Sequence, residues 1–156
     1  MVTILSGRHG ILVDDEDFDK VKDITWSVMT GYATFYAVRN RMVNGKMENL
    51  LMHRLIMNPT ENMYVDHING NGLDNRKENL RICTNAQNAR NRRMSKRNTS
   101  GYRGVTWHKQ TKKWVAQIHV NYKNHYLGLF ENKEDAAEAR RLKAIELHGE
   151  FAGDQQ

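Results

Sequence analysis

Four side chains of this 156-residue chain, Asp66, His67, Asn79 and Asn88, have types and spacing that could do chemistry. Asp66 and His67 end a short run, Met63 to Val65, whose β-branched and aromatic members suit a strand, and Asn69-Gly70-Asn71-Gly72 beyond it must turn. Leu73, the one large apolar residue of that loop, is its expected anchor. Leu80-Arg81-Ile82-Cys83 reads as a second short strand, after which Thr84-Asn85-Ala86-Gln87 has the form of a capping box opening a helix. Asn88 lies one turn into that helix. A helix across two short strands would gather one carboxylate oxygen and one amide oxygen beside an imidazole. Oxygen donors few in number and mixed in charge suit Mg²⁺ or Mn²⁺, which keep several waters and take further ligands from phosphate. A histidine there could deprotonate water, since its ordinary pKa lies near neutrality.

The stretch VDHINGNGLDNRKENLRICTNAQN resembles the core of the HNH endonucleases, in particular the phage and intron-associated homing enzymes of the ββα-metal class. The resemblance implies that His67 is the general base and Asp66 a metal ligand. It makes Asn79 the residue that braces the loop and keeps His67 oriented. Asn88 becomes the second metal ligand, where many relatives carry histidine, and the cofactor is Mg²⁺ or Mn²⁺. The zinc-clamped branch of that family needs paired cysteines, and Cys83 is the only cysteine, read here as a small buried residue. Asn75 reads as a loop hydrogen-bonder. His53, in LLMHRLIM, reads as a packed or DNA-facing residue rather than a metal ligand.

The net charge of +6 and pI near 9.5 indicate a polyanionic partner, and the distribution of that charge is more telling than its total. Asn79 to Phe130 contains no Asp or Glu but holds eleven of the 24 Lys and Arg residues, which leaves the other 104 residues 13 cations against all 18 acids, a net of −5. Within this track Arg81, Arg90, Arg92, Arg93, Lys96 and Arg97 are candidate DNA contacts. One cysteine excludes an internal disulfide, no apolar run approaches the length of a membrane span, and the N-terminus lacks a signal-peptide pattern. The expected setting is a reducing cytoplasm, that of a bacterial host if the gene is a phage's, with no membrane partner and a monomer or homodimer as the working form.

Residues 95–100 read as a basic linker that orders on DNA. Beyond it Tyr102–Thr106, Trp114–Val120 and His125–Phe130 read as three short strands, with Trp114, Ala116 and Ile118 on one face. Asn132 is placed to cap a helix from Lys133 to about His148, on which Ala136, Ala137, Ala139, Arg140, Leu142, Ala144, Ile145 and Leu147 form a broad stripe ended by Gly149. SGYRGVTWHKQTKKWVAQIHV, YLGLF, NKEDAAEARRLKA and HGEFA in this order resemble the Apetala-type (ethylene-response-factor) DNA-binding domain. The resemblance implies a sheet that enters the major groove of double-stranded DNA. It points to Arg103, Thr106, His108, Gln117, His119, Asn124 and Tyr126 as sheet-face contacts, joined by Trp107, Lys112 and Lys113, whereas Trp114 is expected beneath the helix.

The first 58 residues are less legible. Ile11–Val13, Thr25–Val28, Tyr32–Val38 and Lys46–Leu50 suggest short strands, with Asn44-Gly45 a hairpin turn. Asp14-Asp15-Glu16-Asp17 reads as the acidic first turn of a helix to Lys22, since it lacks the glycine and terminal Glu of a calcium loop. The fold class expected is α+β. Residues 1–58 form a small β-rich scaffold, 59–94 the ββα-metal core, 95–100 the linker, and 101–153 a three-stranded antiparallel sheet packed on one C-terminal helix. The function expected is a site-specific, metal-dependent DNA endonuclease of homing type. A sequence-specific DNA-binding regulator with a degenerate nuclease core is the alternative, and an RNA-directed nuclease a third reading.

Overall fold

In a computed structural model that describes residues 1–31, 34–90, 94 and 97–152, the chain divides into two compact units, 1–92 and 93–156. The first opens with a hairpin of β1 (Val2–Ser6) and β2 (His9–Val13) turning at Gly7, and the short helix α1 (Asp15–Val21) follows. A second antiparallel sheet runs β3 (Ser27–Thr30), β4 (Phe35–Val43), β5 (Lys46–Leu51) in sequential order. Asn44 and Gly45 both take positive φ, 50° and 74°, the backbone a two-residue hairpin requires. Helix α2 (Met52–Met57) leads to a third sheet, the two-stranded ribbon β6 (Tyr64–His67) and β7 (Leu80–Cys83), and then α3 (Asn85–Arg90).

These small sheets share one core. Ile11 and Val13 of β2, Val21 of α1, Trp26, Ala37 of β4, Met52 and Ile56 of α2, Val65 of β6, Leu73 and Leu80 are all buried in a single cluster. None of the sheets could bury enough apolar surface alone. The 1–58 segment and the motif ribbon therefore make one hydrophobic unit rather than a scaffold beside a separate core. Hydrogen bonds bind the ribbon's long loop to β2: Leu12 N donates to Leu73 O (2.9 Å) and Asn75 N to Leu12 O (2.8 Å). Leu73 anchors this loop as its apolar character suggests.

The acidic run does a related job. The Lys77 ammonium bridges Glu16 (2.7 Å) and Asp17 (3.1 Å), and its backbone amide donates to Asp14 Oδ2 (2.8 Å). Asp14, Glu16 and Asp17 are the one such convergent group among the described residues that could hold a metal ion, and the cation between them is the chain's own lysine. The Asp17 carboxyl is depressed in pKa by Lys20 and Lys77 against the opposing effect of its burial, which is the larger single influence.

The second unit begins in a compact turn. Asn98 Oδ1 accepts from Gly101 N (2.8 Å) and Ser100 Oγ (3.0 Å), while Asn98 Nδ2 donates to Tyr102 O (2.8 Å). The described end of the expected linker is thus already folded, because Asn and Ser side chains replace missing backbone partners. Strands β8 (Val105–His108), β9 (Lys113–Val120) and β10 (Lys123–Phe130) form an antiparallel sheet in the order β10-β9-β8, and α4 (Lys133–His148) packs on it. Its core is small: Val105, Ala116 and Ala136, flanked by Tyr102, Trp114, Leu127, Phe130 and Ala137. The buried stripe of α4 is narrower than its composition suggests, comprising Ala136, Arg140 and Ala144, with Leu142 and Ile145 exposed. Asn132 sits at the N-cap but donates its side-chain amide to Asp135 (3.2 Å) instead of capping.

Candidate active site

The β6–β7 register decides which side chains of the ribbon meet. Asp66 stands opposite Arg81 and His67 opposite Leu80. Arg81, one of the expected DNA contacts, donates from Nε (3.0 Å) and Nη2 (2.8 Å) to Oδ2 of Asp66, the candidate metal ligand. Directly paired residues of an antiparallel ribbon share a face, and opposite charges there attract. Both are largely sequestered, with side-chain exposures of 7% and 12%.

His67 is buried at the end of β6. Its Nε2 lies 3.5 Å from Asn75 Oδ1, its ring meets His53 edge-on at 4.9 Å and 85°, and Tyr36 lies 5.9 Å away. Burial lowers the His67 pKa below the ordinary histidine value, against smaller upward pulls from Asn75, Asp66 and Asp74, so the ring is neutral at neutral pH. His53, on α2, is buried too. Its Nδ1 has no hydrogen-bond partner, and burial foremost, then the neighbouring His67 and Arg54, take its pKa down to about 3. His53 is therefore a packed residue, and the surface it packs on is the candidate base.

Asn79 closes the short 3₁₀ turn Lys77–Asn79 and is buried. Its Nδ2 donates to Asp74 O (2.8 Å), its Oδ1 accepts from Asn69 N (2.9 Å), and its own carbonyl accepts from Ile68 N (2.9 Å). The side chain ties the end of the loop to its start at Asn69 and to its middle at Asp74. Asp74 reinforces it, chelated by Arg76 through Nε and Nη2 (2.8 Å each) and bonded by Asn69 Nδ2 (3.0 Å). Arg76 is the leading cause of the lowered Asp74 pKa.

Asn88 rides on α3, which packs against β6. The capping box forms with both of its bonds, Gln87 N to Thr84 Oγ1 (3.3 Å) and Thr84 N to Gln87 Oε1 (2.8 Å), and Asn88 N donates to Thr84 O (2.9 Å). The ribbon pairs Asp66 with Arg81 and carries His67 beside Asp66 in sequence, Asn79 lies just before β7, and α3 carries Asn88 in its first full turn. Cys83 is fully buried and burial pushes its thiol pKa up, as suits an inert core residue.

Sequence reasoning missed Tyr36 and did not place His53, read as packed or DNA-facing, or Asn75, read as a loop hydrogen-bonder, against His67. Of these Asn75 lies nearest in sequence to His67, eight residues on in the loop that follows it.

In the second unit, strand pairing sorts the expected DNA contacts by face. Asn124 pairs with His119, Tyr126 with Gln117 and Thr106 with Val115, which puts Thr106, His108, Gln117, His119, Asn124 and Tyr126 on the outer face. Asn124 Nδ2 donates to Gln117 Oε1 (2.9 Å) across it. Trp107 pairs with Trp114, the two rings lying 5.1 Å apart on the strand face that carries Val105 and Ala116, and it is 47% exposed. Arg103 departs from the sheet face. It is half-buried and lines a cleft with Tyr102 and the α4 residues Glu134, Ala137, Glu138 and Arg141. Lys112 sits at the β8–β9 turn with φ 51°, and Lys113 pairs with Glu131 (2.7 Å). Arg90 ends α3 and Arg97 is exposed, whereas Arg92, Arg93 and Lys96 lie outside the described residues.

A family model described as HNH endonuclease matches residues 58–90. The chain is similar to Protein 3.8 of Escherichia phage T7, 36% identical over 89 residues that cover 57% of this chain and 73% of that protein. It is also similar to the uncharacterized HNH endonuclease L560 of Acanthamoeba polyphaga mimivirus, 30% identical over 134 residues, 81% of this chain and 68% of that protein. The AP2-like ethylene-responsive transcription factor AIL5 of Arabidopsis thaliana is 46% identical over 55 residues, 34% of this chain and 10% of that protein. No solved structure matches the chain.

Proposed function

Because this chain belongs to the HNH endonuclease family and is a DNA-cleaving nuclease, we propose that it is a site-specific homing-type endonuclease using a single divalent ion, Mg²⁺ or Mn²⁺. The observation that carries this reading is a buried imidazole, His67, at a strand end beside a buried carboxylate, Asp66. In the reaction His67 accepts a proton from the attacking water, for which a neutral ring in a low-polarity pocket is prepared. Asn75, His53 and Tyr36 limit the ring's rotation, and Asn79 fixes the loop from which it projects. Asp66 and Asn88 supply hard oxygen donors of the kind Mg²⁺ and Mn²⁺ prefer, and Arg81 holds the Asp66 carboxylate in place. A bound divalent ion would offset the charge that develops on the phosphate and leaving oxygen.

The outer face of β8–β10 offers Thr106, His108, Gln117, His119, Asn124 and Tyr126 as hydrogen-bonding and stacking groups for the major groove of duplex DNA. The partial likeness to AP2-like transcription factors and the acid-free track from Asn79 to Phe130 support this role. The working form is a monomer or homodimer. None of the described helices is long and apolar enough to cross a membrane. A phage relative suits action in the cytoplasm of a bacterial host.

Supercoiled plasmid incubated with the protein and Mg²⁺ or Mn²⁺ is expected to become nicked or linear, and EDTA to stop it. The absence of metal-dependent nicking would instead support a DNA-binding regulator. Asn79→Ala removes two hydrogen bonds at once and leaves the buried Asp74 carbonyl without its side-chain donor. Its expected effect is about 2 kcal/mol of lost stability in a urea melt. Nicking should slow by roughly 10- to 100-fold through a misaligned His67. A parental nicking rate would show that the loop holds His67 without it.

A further inference from the structure

Tyr36 is the ring at the candidate site to which the reaction above gives only a packing role. It projects from β4, 5.9 Å from His67 and 5.8 Å from His53 between ring centres. Two glycines make room for it. A Cβ on Gly31 would lie 2.5 Å from the Tyr36 ring, and one on Gly72 would lie 2.3 Å from Phe35 O and 2.7 Å from the opposite ring edge. Neither glycine has positive φ, so neither is needed for its backbone conformation. Room is what they provide. Gly72 N also donates to Thr34 Oγ1 (3.0 Å), which clamps the Asn-Gly loop onto β4 at the same place.

The slot fixes the ring from both edges, yet its hydroxyl has no hydrogen-bond partner among the described residues. Tyr36 is only partly buried and its hydroxyl is not among the buried atoms left without a partner, so the group is open to an incoming ligand. Near Tyr36 lie Asp66, whose charge reaches the phenol, and His67, the base. Burial first, and Asp66 second, raise the phenol pKa above its ordinary value, so the group keeps its proton at physiological pH. A neutral O–H donor beside a carboxylate and a base complements an anion that must approach both.

Resting on the nuclease reading, we propose that Tyr36 is a further catalytic residue whose hydroxyl donates a hydrogen bond to a non-bridging oxygen of the scissile phosphodiester. No bond forms or breaks at Tyr36, and its proton stays on the phenol. The contact strengthens as negative charge gathers on the phosphate oxygens. The glycine slot supplies what such a donor needs, a position set before substrate arrives.

The test is Tyr36→Phe in the full-length chain, which keeps the ring in its slot and removes the hydroxyl alone. Nicking of supercoiled plasmid with Mn²⁺ is followed under single-turnover conditions, together with thermal melting and gel-shift binding in EDTA. The expected result is cleavage about 10- to 100-fold slower, the range for a hydrogen bond to a charged group, with melting temperature and DNA binding unchanged. Cleavage at the parental rate overturns the inference. So does a melting temperature lowered by several degrees, because the hydroxyl would then be a structural group. A parent protein that fails to nick overturns the nuclease reading and this inference with it, whereas a nicking parent matched by an equally fast Tyr36→Phe overturns this inference alone.

Discussion

His67→Ala is expected to abolish metal-dependent nicking while leaving DNA binding within about twofold of the parent. Loss of a general base slows a reaction by roughly 10²- to 10⁴-fold, enough to take plasmid nicking below detection. Binding should survive because the outer face of β8–β10 and the basic track do not include His67. The substitution also opens a cavity among Tyr36, His53 and Asn75. That cavity has the shape of the missing ring, so added imidazole should restore part of the rate, which a merely misfolded protein would not show. Plasmid nicking, gel shift and imidazole titration on one preparation check all three. Cleavage at the normal rate would mean that another group takes the proton.

Acid should loosen the first unit through His53. Its folded pKa of about 3 lies well below the ordinary 6.5, so the folded unit binds fewer protons than the unfolded chain between those values. The stability that neutral His53 allows is therefore complete above about pH 6.5 and is lost as pH falls toward 3. At about 1.4 kcal/mol per unit, some 2 to 3 kcal/mol should disappear between pH 7 and pH 4.5, in the same direction as the depressed His67. Urea unfolding at the two pH values measures it. His53→Phe keeps a ring against His67, removes the unpartnered Nδ1, and should flatten most of this dependence. An unchanged dependence in the variant would place the acid-sensitive group elsewhere.

The parts of the site readable from sequence are those built by short-range rules. The Thr84–Gln87 capping box, the Asn69–Gly72 turn and the Leu80–Cys83 strand need only neighbouring residues, and each forms as the local pattern predicts. The Asp66–Arg81 pair was within reach as well, because pairing Leu80 with His67 forces those two opposite each other. Tyr36 and His53 were not. Their contacts with His67 span 31 and 14 residues and depend on how β4 and α2 join the shared core, which no periodicity encodes.

Lys77 among Asp14, Glu16 and Asp17 bears on how the enzyme would respond to its surroundings. Loops of this kind are often stiffened by a mineral ion, whose occupancy rises and falls with supply. Here the stiffening charge is translated with the chain, always one per molecule and beyond the reach of a chelator. Withdrawing divalent ions should therefore silence the chemistry without slackening the frame around it, and restoring them should restart a site that never lost its shape.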